Sequence, residues 1–444
     1  MSERETTTIG EPQSNLDNGY PEEKRSNSNH TPSPSAPEDE ETAYPEGGLK
    51  AWSVVFGSFC GQLTGFGVMN TIGIFQAHIS ANQLKDYSEG QVGWIFSLYV
   101  FLSFFCGVQI GPVFDAHGPR LLILAGSVCL VASMMLLGLC TSYWHFIIVF
   151  GILGGLGTSL VFTPAIGSIG HFFLAGRANA TGLSATGGSV GGVVFPLMLQ
   201  SLIPRIGFAW STRILGFIFV VLTGVANLLI RSRLAPETGA SAWPDLRIFR
   251  NAVFALTTAG VFLVEWGLFI PLGYITSYTL AQHDVAPAFA YQLLAILNAA
   301  SFFGRWVPGY VADRLGRFNT MIVTVALCVV ATFALWLPAR GSVALLVAYA
   351  VLFGFASGSN ISLTAVCVGQ LCKTENYGRY YATCYTIVSF GTLTGIPAAG
   401  AIVSAEGGAY RGLILFTGMC YVGGLAMFLA ARILAVGWRV TTVY

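Results

Sequence analysis

From Ala51 onward the chain alternates long apolar runs with short polar breaks. A hydrocarbon core about 30 Å thick takes roughly 20 apolar residues in helical form to cross. Twelve runs meet that length, at 51–75, 91–113, 120–140, 145–168, 178–202, 208–230, 252–279, 289–311, 319–338, 342–368, 380–403 and 410–434. The most polar interruption lies between Arg231 and Arg250, where Pro236, Glu237, Gly239, Pro244 and Asp245 cluster. The pattern predicts an all-α membrane protein of twelve transmembrane helices in two six-helix, pseudo-symmetric halves, 44–230 and 251–434. A cytoplasmic linker, 231–250, joins them, and a short cytoplasmic tail, 435–444, follows.

The two halves repeat one another in detail. Gly111-x3-Asp115-x2-Gly118, with Arg120 close behind, recurs as Gly309-x3-Asp313-x2-Gly316-Arg317. Gly151-x3-Gly155 is echoed by Gly354-x3-Gly358, Arg177 by Arg379 and Pro196 by Pro397. These offsets are 198, 203, 202 and 201 residues, a drift small enough to indicate duplication of one helical unit. Parallel halves of this kind are one of the transporter repeat schemes, with substrate bound near midplane between them. In the repeated loop, glycine permits a sharp turn and close helix approach. The aspartate can accept from helix-terminal N–H groups or a nearby arginine. Such a pair of charged latches would hold one end of the bundle shut until the halves rock.

Composition agrees with the spans and redistributes the charge. Of 444 residues, 54% are hydrophobic and 10% charged, against roughly 25% charged in a soluble globular domain. Eleven of the 21 acidic residues fall between Glu3 and Glu46, opposed only by Arg4, Lys24 and Arg25. The remainder holds ten acidic and 19 basic residues, so a body of formal charge +9 sits behind an acidic tail. Residues 1–43 of that tail are rich in Ser, Thr, Asn, Pro and Glu without an apolar period, and are expected to be disordered. They lack the basic start and apolar core of a cleavable signal. With both termini inside, ten basic residues fall in cytoplasmic loops and five in the opposite ones, which orients the bundle by the positive-inside rule. The nine cysteines lie mostly in apolar runs and read as small buried hydrophobes.

Candidate chemistry is sparse and therefore conspicuous. Glu265 lies near the middle of the seventh span and Arg305 in the inner half of the eighth. A charge at the centre of a bilayer costs at least about 2.5 kcal/mol on insertion scales, so each must face a cavity or a partner. Asn298, Ser301 and Arg305 stand at i, i+3 and i+7, on one helix face. A guanidinium on such a polar stripe suits a carboxylate or other anion. Asn70 and Tyr274 are further candidates for substrate contact, and Glu265 for coupling. The competing reading is that Glu265 and Arg305 neutralise one another across adjacent helices. No G-x4-G-K-[ST] is present, so the driving force is a gradient and not ATP held by this chain. No spacing calls for a metal or cofactor, nor for a nucleic acid; the expected partners are a small-molecule substrate, with or without a proton, and the lipid bilayer.

The body from about Tyr44 resembles the major facilitator superfamily, through the twelve spans and the doubled loop motif. Within it, Tyr44-Pro-Glu46-Gly47-Gly48, leading to Trp52, is similar to the entry signature of the monocarboxylate porter family, most closely its fungal branch. Phe172-Phe173 through Arg177, Gly182, Gly187 and Gly188 is similar to that family's second signature. The resemblance implies a proton-linked carrier of short carboxylates. The animal members' first-helix lysine falls on Asn70 here, and their Asp-x3-Arg pair on Ser301 and Arg305, so only the arginine is kept. The expected function is secondary active transport of a small organic acid or acidic secondary metabolite by alternating access at the plasma membrane. The alternatives are efflux of a neutral hydrophobic metabolite, or a non-transporting receptor, for which the tails are short.

Overall fold

The computed structural model describes residues 44–87, 89–233, 246–281 and 287–438. The acidic tail, most of the linker and the last residues of the predicted carboxy-terminal tail lie outside these. The predicted helices form as α1 (Gly48–Met69), α2 (Ile72–Ala81), α3 (Glu89–Phe105), α4 (Gly107–His117), α5 (Arg120–Leu137), α6 (Tyr143–Phe146), α7 (Gly155–Gly170), α8 (Arg177–Ile206) and α9 (Phe208–Leu229) in the first half. The second half holds α10 (Ala252–Leu280), α11 (Pro287–Leu315), α12 (Arg317–Val330), α13 (Val343–Gln370), α14 (Tyr377–Ala405) and α15 (Arg411–Val436).

Several predicted spans are composite. The second is α3 and α4, joined at Cys106. A π-helical stretch, Ile147–Gly154, links α6 to α7, and another, Ala331–Trp336, extends α12. The first predicted span ends earlier than expected, at Asn70 and Thr71, before a separate α2. Here the Thr71 N–H donates to the Val68 carbonyl at 2.9 Å, a tighter turn that closes α1. Among the described residues ten helices are long and apolar enough to cross a membrane. The first and eighth predicted spans are occupied by α1 and α11, whose polar residues, including Gln62 and Thr64 in one and Asn298, Ser301 and Arg305 in the other, lower their apolar character.

Apolar side chains cover the outside of the bundle as well as filling its core. On α9, Phe217, Val221 and Leu228 are 57%, 66% and 70% exposed, while Ser211, Thr212 and Thr223 are buried. Lipid is as apolar as leucine, so helices associate through close packing and small residues instead of through hydrophobic exclusion. All nine cysteines are unpaired.

The halves meet in two equivalent ways: α8 of the first packs on α11 of the second, and α14 of the second packs on α3 and α4 of the first. Glycine makes both contacts close. A Cβ on Gly309 of α11 would stand 2.5 Å from the Ala178 carbonyl of α8. A Cβ on Gly111 of α4 would run into the Gly378 carbonyl and Ala382 Cβ of α14. Along α8, Gly187 and Gly191 press on α1, while Gly182 presses on the Arg305 carbonyl of α11.

Gly304 of α11 is the most crowded of these positions, with the Phe355 carbonyl of α13 inside van der Waals contact of any added Cβ. Gly304→Ala is expected to cost about 1–3 kcal/mol and lower the apparent Tm in detergent. Gly224→Ala, where nothing lies within 4 Å, should leave the Tm unchanged or raise it.

Candidate substrate cleft and the capped end beside it

At the centre of the bundle α1, α10, α11 and α13 enclose a small cleft lined by Asn70, Leu268, Leu272, Leu297, Asn298, Ser301, Arg305, Ser357, Gly358 and Ile361. The i, i+3, i+7 stripe of α11 faces it as its spacing predicts. The cleft has a volume of about 20 Å³, room on the scale of one water and not of an organic molecule.

Arg305 is 6% exposed and spans the junction of the halves. Its Nη1 donates to the Ala185 carbonyl of α8 at 3.1 Å, its Nε to Ser301 Oγ at 3.4 Å, and its guanidinium lies 6.0 Å from the centre of the Phe66 ring. Gly188 leaves the space this needs, since a Cβ there would stand 3.2 Å from Nη1. Asn70 donates to the Gly188 carbonyl at 3.1 Å, and Asn298 donates back to Leu294 at 3.2 Å. Gly192 sits between the two asparagine side chains.

Glu265 is completely buried on α10, and neither carboxyl oxygen has a hydrogen-bond partner. It does not line the cleft. Arg305, Tyr385 and Tyr421 are within its electrostatic reach. Arg305 gives its bonds to Ala185 and Ser301, so the two groups do not neutralise one another through a direct hydrogen bond. Tyr274, the remaining candidate contact, turns away from the cleft and donates to the Ile396 carbonyl of α14 at 3.3 Å.

Below the cleft, Phe66, Phe104 and Phe162 of the first half meet Tyr381 and Tyr385 of the second. The Phe104 and Tyr385 rings are 5.0 Å apart and those of Phe162 and Tyr381 5.8 Å. Beyond them lies the end of the bundle that carries the doubled loop motif. Here Asp115 of α4 accepts from Gly378 N–H at 3.1 Å and Arg379 N–H at 2.8 Å, at the start of α14. Asp313 of α11 accepts from Ala178 N–H at 3.0 Å and Asn179 N–H at 2.8 Å, at the start of α8. Each aspartate therefore caps the first turn of a helix in the other half, where N–H groups have no intrahelical partner and the dipole favours an anion.

The spacing Gly-x3-Asp has a physical reason. Residues i and i+4 share a helix face, so the glycine lets the two helices touch and the aspartate one turn on reaches the exposed N–H groups. Gly118 and Gly316 turn the chain out of α4 and α11 with φ of 79° and 99°, a region closed to most side chains. Arg317 donates to the Leu174 carbonyl of the first half, whereas its counterpart Arg120 is exposed.

The two sequence signatures are in contact. The Glu46 carboxylate accepts from Leu174 and Ala175 N–H, both at 2.7 Å, and from Gly176 N–H at 3.0 Å. Partial burial raises its carboxyl pKa, but the N–H groups of Gly176, Ala175 and Leu174 and the charge of Arg177 outweigh that and hold it below the usual carboxylate range. Arg177 is buried at the head of α8, donating to the carbonyls of Phe173 and Gly170 and, across the halves, to Gly369 at 3.3 Å.

Two halves with a small cleft between them and a capped, aromatic-lined end to one side are the arrangement of a membrane carrier. Residues 54–341 and 309–441 match the model of the Major Facilitator Superfamily, and the chain belongs to that family of transporters. It is 36% identical over 425 residues to the riboflavin transporter MCH5 of Saccharomyces cerevisiae, covering 90% of this chain and 81% of that protein. It is 35% identical to the fujikurins efflux protein of Gibberella fujikuroi, covering 88% and 84%. The crystal structure of the human organic anion transporter MFSD10 superposes with a TM-score of 0.66 at 15% identity, covering 87% of this chain and 98% of that one, a likeness of fold. The chain is thus a multi-pass membrane transporter and not an enzyme.

Removing a helix cap costs about 0.5–2 kcal/mol. Asp313→Ala is accordingly expected to speed amide exchange at Ala178 and Asn179 by roughly twofold to thirtyfold, and Asp115→Ala to do the same at Gly378 and Arg379; asparagine, which keeps an acceptor, should do less. The lowered Glu46 carboxyl makes its clasp present above the ordinary value of 4.5 and lost only as pH falls through the lower folded value. Protection of the Leu174, Ala175 and Gly176 amides, corrected for intrinsic rate, should follow that course in the native chain and be flat with pH in Glu46→Gln.

Proposed function

We propose that the chain is an alternating-access secondary carrier of an organic anion, with both termini and the gated end in the cytoplasm. The observation that carries this is Arg305, a buried guanidinium in an otherwise uncharged cleft between the halves. Its planar fork suits a carboxylate. Ser301, Asn298 and Asn70 would supply neutral polar contacts, and Leu268, Leu272, Leu297 and Ile361 an apolar wall, so the cargo is an acid with an apolar body. Arg305 now spends a donor on Ala185 of the opposite half. An anion that takes this donor loosens a tie between the halves, which links binding to the rocking movement.

The resemblance to monocarboxylate porters supports the acid. The relatives' names add riboflavin as cargo and export as a direction, which widens the range to be tested. A second reading, export of a neutral hydrophobic metabolite coupled through Glu265, is favoured by one observation, the fully buried carboxyl without a hydrogen-bond partner.

The test is uptake into proteoliposomes under an imposed pH gradient, with labelled short monocarboxylates and riboflavin as the panel. Arg305→Ala should abolish uptake of an acid and Arg305→Lys recover only part of it. Uptake of an uncharged compound that survives Arg305→Ala but loses its pH dependence in Glu265→Gln would establish the second reading. A Glu265→Gln chain with coupling unchanged would remove it.

A further inference from the structure

We infer that Tyr44 is a gating residue: its hydroxyl makes a further tie between the halves at the gated end, beside the two aspartate caps and the bonds of Arg177 and Arg317. This rests on reading that end as one that opens and closes during transport. The segment just before α1 lies across the end like a strap. One arm is Glu46, which donates its own N–H to the Phe172 carbonyl at 3.1 Å while its carboxylate clasps Leu174, Ala175 and Gly176. The other arm is Tyr44, whose hydroxyl bonds the hydroxyl of Thr374. Thr374 opens the short turn Thr374–Asn376 that leads into α14, in the other half.

Three observations separate this from an incidental contact. Glu46 holds φ at +49°, a left-handed conformation uncommon for a residue with a side chain, and it persists only where surrounding bonds over-determine it. Here four hydrogen bonds do so, and they fix the direction in which the chain leaves toward Tyr44. The Tyr44 ring is itself placed, 5.7 Å from the guanidinium of Arg233, whose Nε donates to the His171 carbonyl at 3.2 Å. Finally, Thr374 is a convergence point: Arg177 Nη2 reaches the same hydroxyl at 3.3 Å and the arginine lies 5.2 Å from the Tyr377 ring. Two residues of the first half thus hold one hydroxyl of the second.

When the end opens, α14 must leave α4 and carry Thr374 away. Glu46 and its clasp belong wholly to the first half and stay together. The strap therefore has one arm that persists through the cycle and one that breaks with each opening. The break falls at Tyr44, the residue that follows the acidic stretch 1–43 in the sequence.

Tyr44→Phe removes the hydroxyl and keeps the ring over Arg233. In the full-length chain in nanodiscs, amide exchange over 374–380 is expected to rise about twofold to tenfold, the effect of losing one hydrogen bond. Exchange at Leu174–Gly176 and the apparent Tm should stay as they are, which a merely structural tyrosine would not allow. In a Thr374→Val background, Tyr44→Phe should add nothing further. No rise over 374–380, or the same rise with and without Thr374, would overturn the inference. If Asp115→Ala too leaves 374–380 protected, the reading of this end as a gate fails, and the strap with it. If Asp115→Ala opens it and Tyr44→Phe does not, only the strap fails.

Discussion

A carboxylate of one half set against the unpartnered N–H groups of a helix in the other is the interaction on which the closed arrangement depends. Hydrophobic exclusion does not act between helices in lipid, so a closed end needs bonds that are specific and easily broken. A helix cap has that character. It is worth about 0.5–2 kcal/mol, enough to bias a two-state equilibrium and too little to lock it. Because water can replace the carboxylate at the helix start, opening does not leave buried N–H groups unsatisfied. Both halves supply one donor helix and one aspartate, so the closure inherits the twofold relation of the duplicated sequence.

The central cleft depends on that closure for its chemistry. Arg305 and Glu265 stand in a medium where a charge needs company. The structure gives the arginine a carbonyl of the opposite half, while the carboxyl is left without a hydrogen bond. The glycine seam of α8 is what brings Arg305 to the Ala185 carbonyl, since any side chain at Gly182 or Gly188 would push α11 or Phe66 away. The packing and the polar site are one construction. The aromatic rings between the cleft and the capped end complete it by joining the halves there.

Much of this was legible in the sequence because it depends on local periods. Run lengths gave the spans, and the i, i+3, i+7 spacing placed Asn298, Ser301 and Arg305 on one face. The repeat of Gly-x3-Asp marked two equivalent positions, although not that each aspartate caps a helix of the other half. Rotation of a helix about its own axis was not legible where the whole surface is apolar. Tyr274 gave no sign which way it turns, and it faces Ile396 because α14 packs there. The break after Met69 and the π-helical stretches carry no mark in the run of apolar residues. Bonds between residues hundreds of positions apart, such as Tyr44 with Thr374, have no period at all. The acid of the entry signature was noted, but its target, the start of α8, appears only in three dimensions.

The claim at the centre is that the two aspartate caps hold this end of the carrier shut. The most direct test is the distance distribution between spin labels at His117 and Glu375, exposed positions of opposite halves at the gated end. The native chain should give one short distance, and the Asp115→Ala, Asp313→Ala double variant should add a longer population in the same membrane. An unchanged short distance in the double variant would contradict the account, because the end would then be held by something other than the caps.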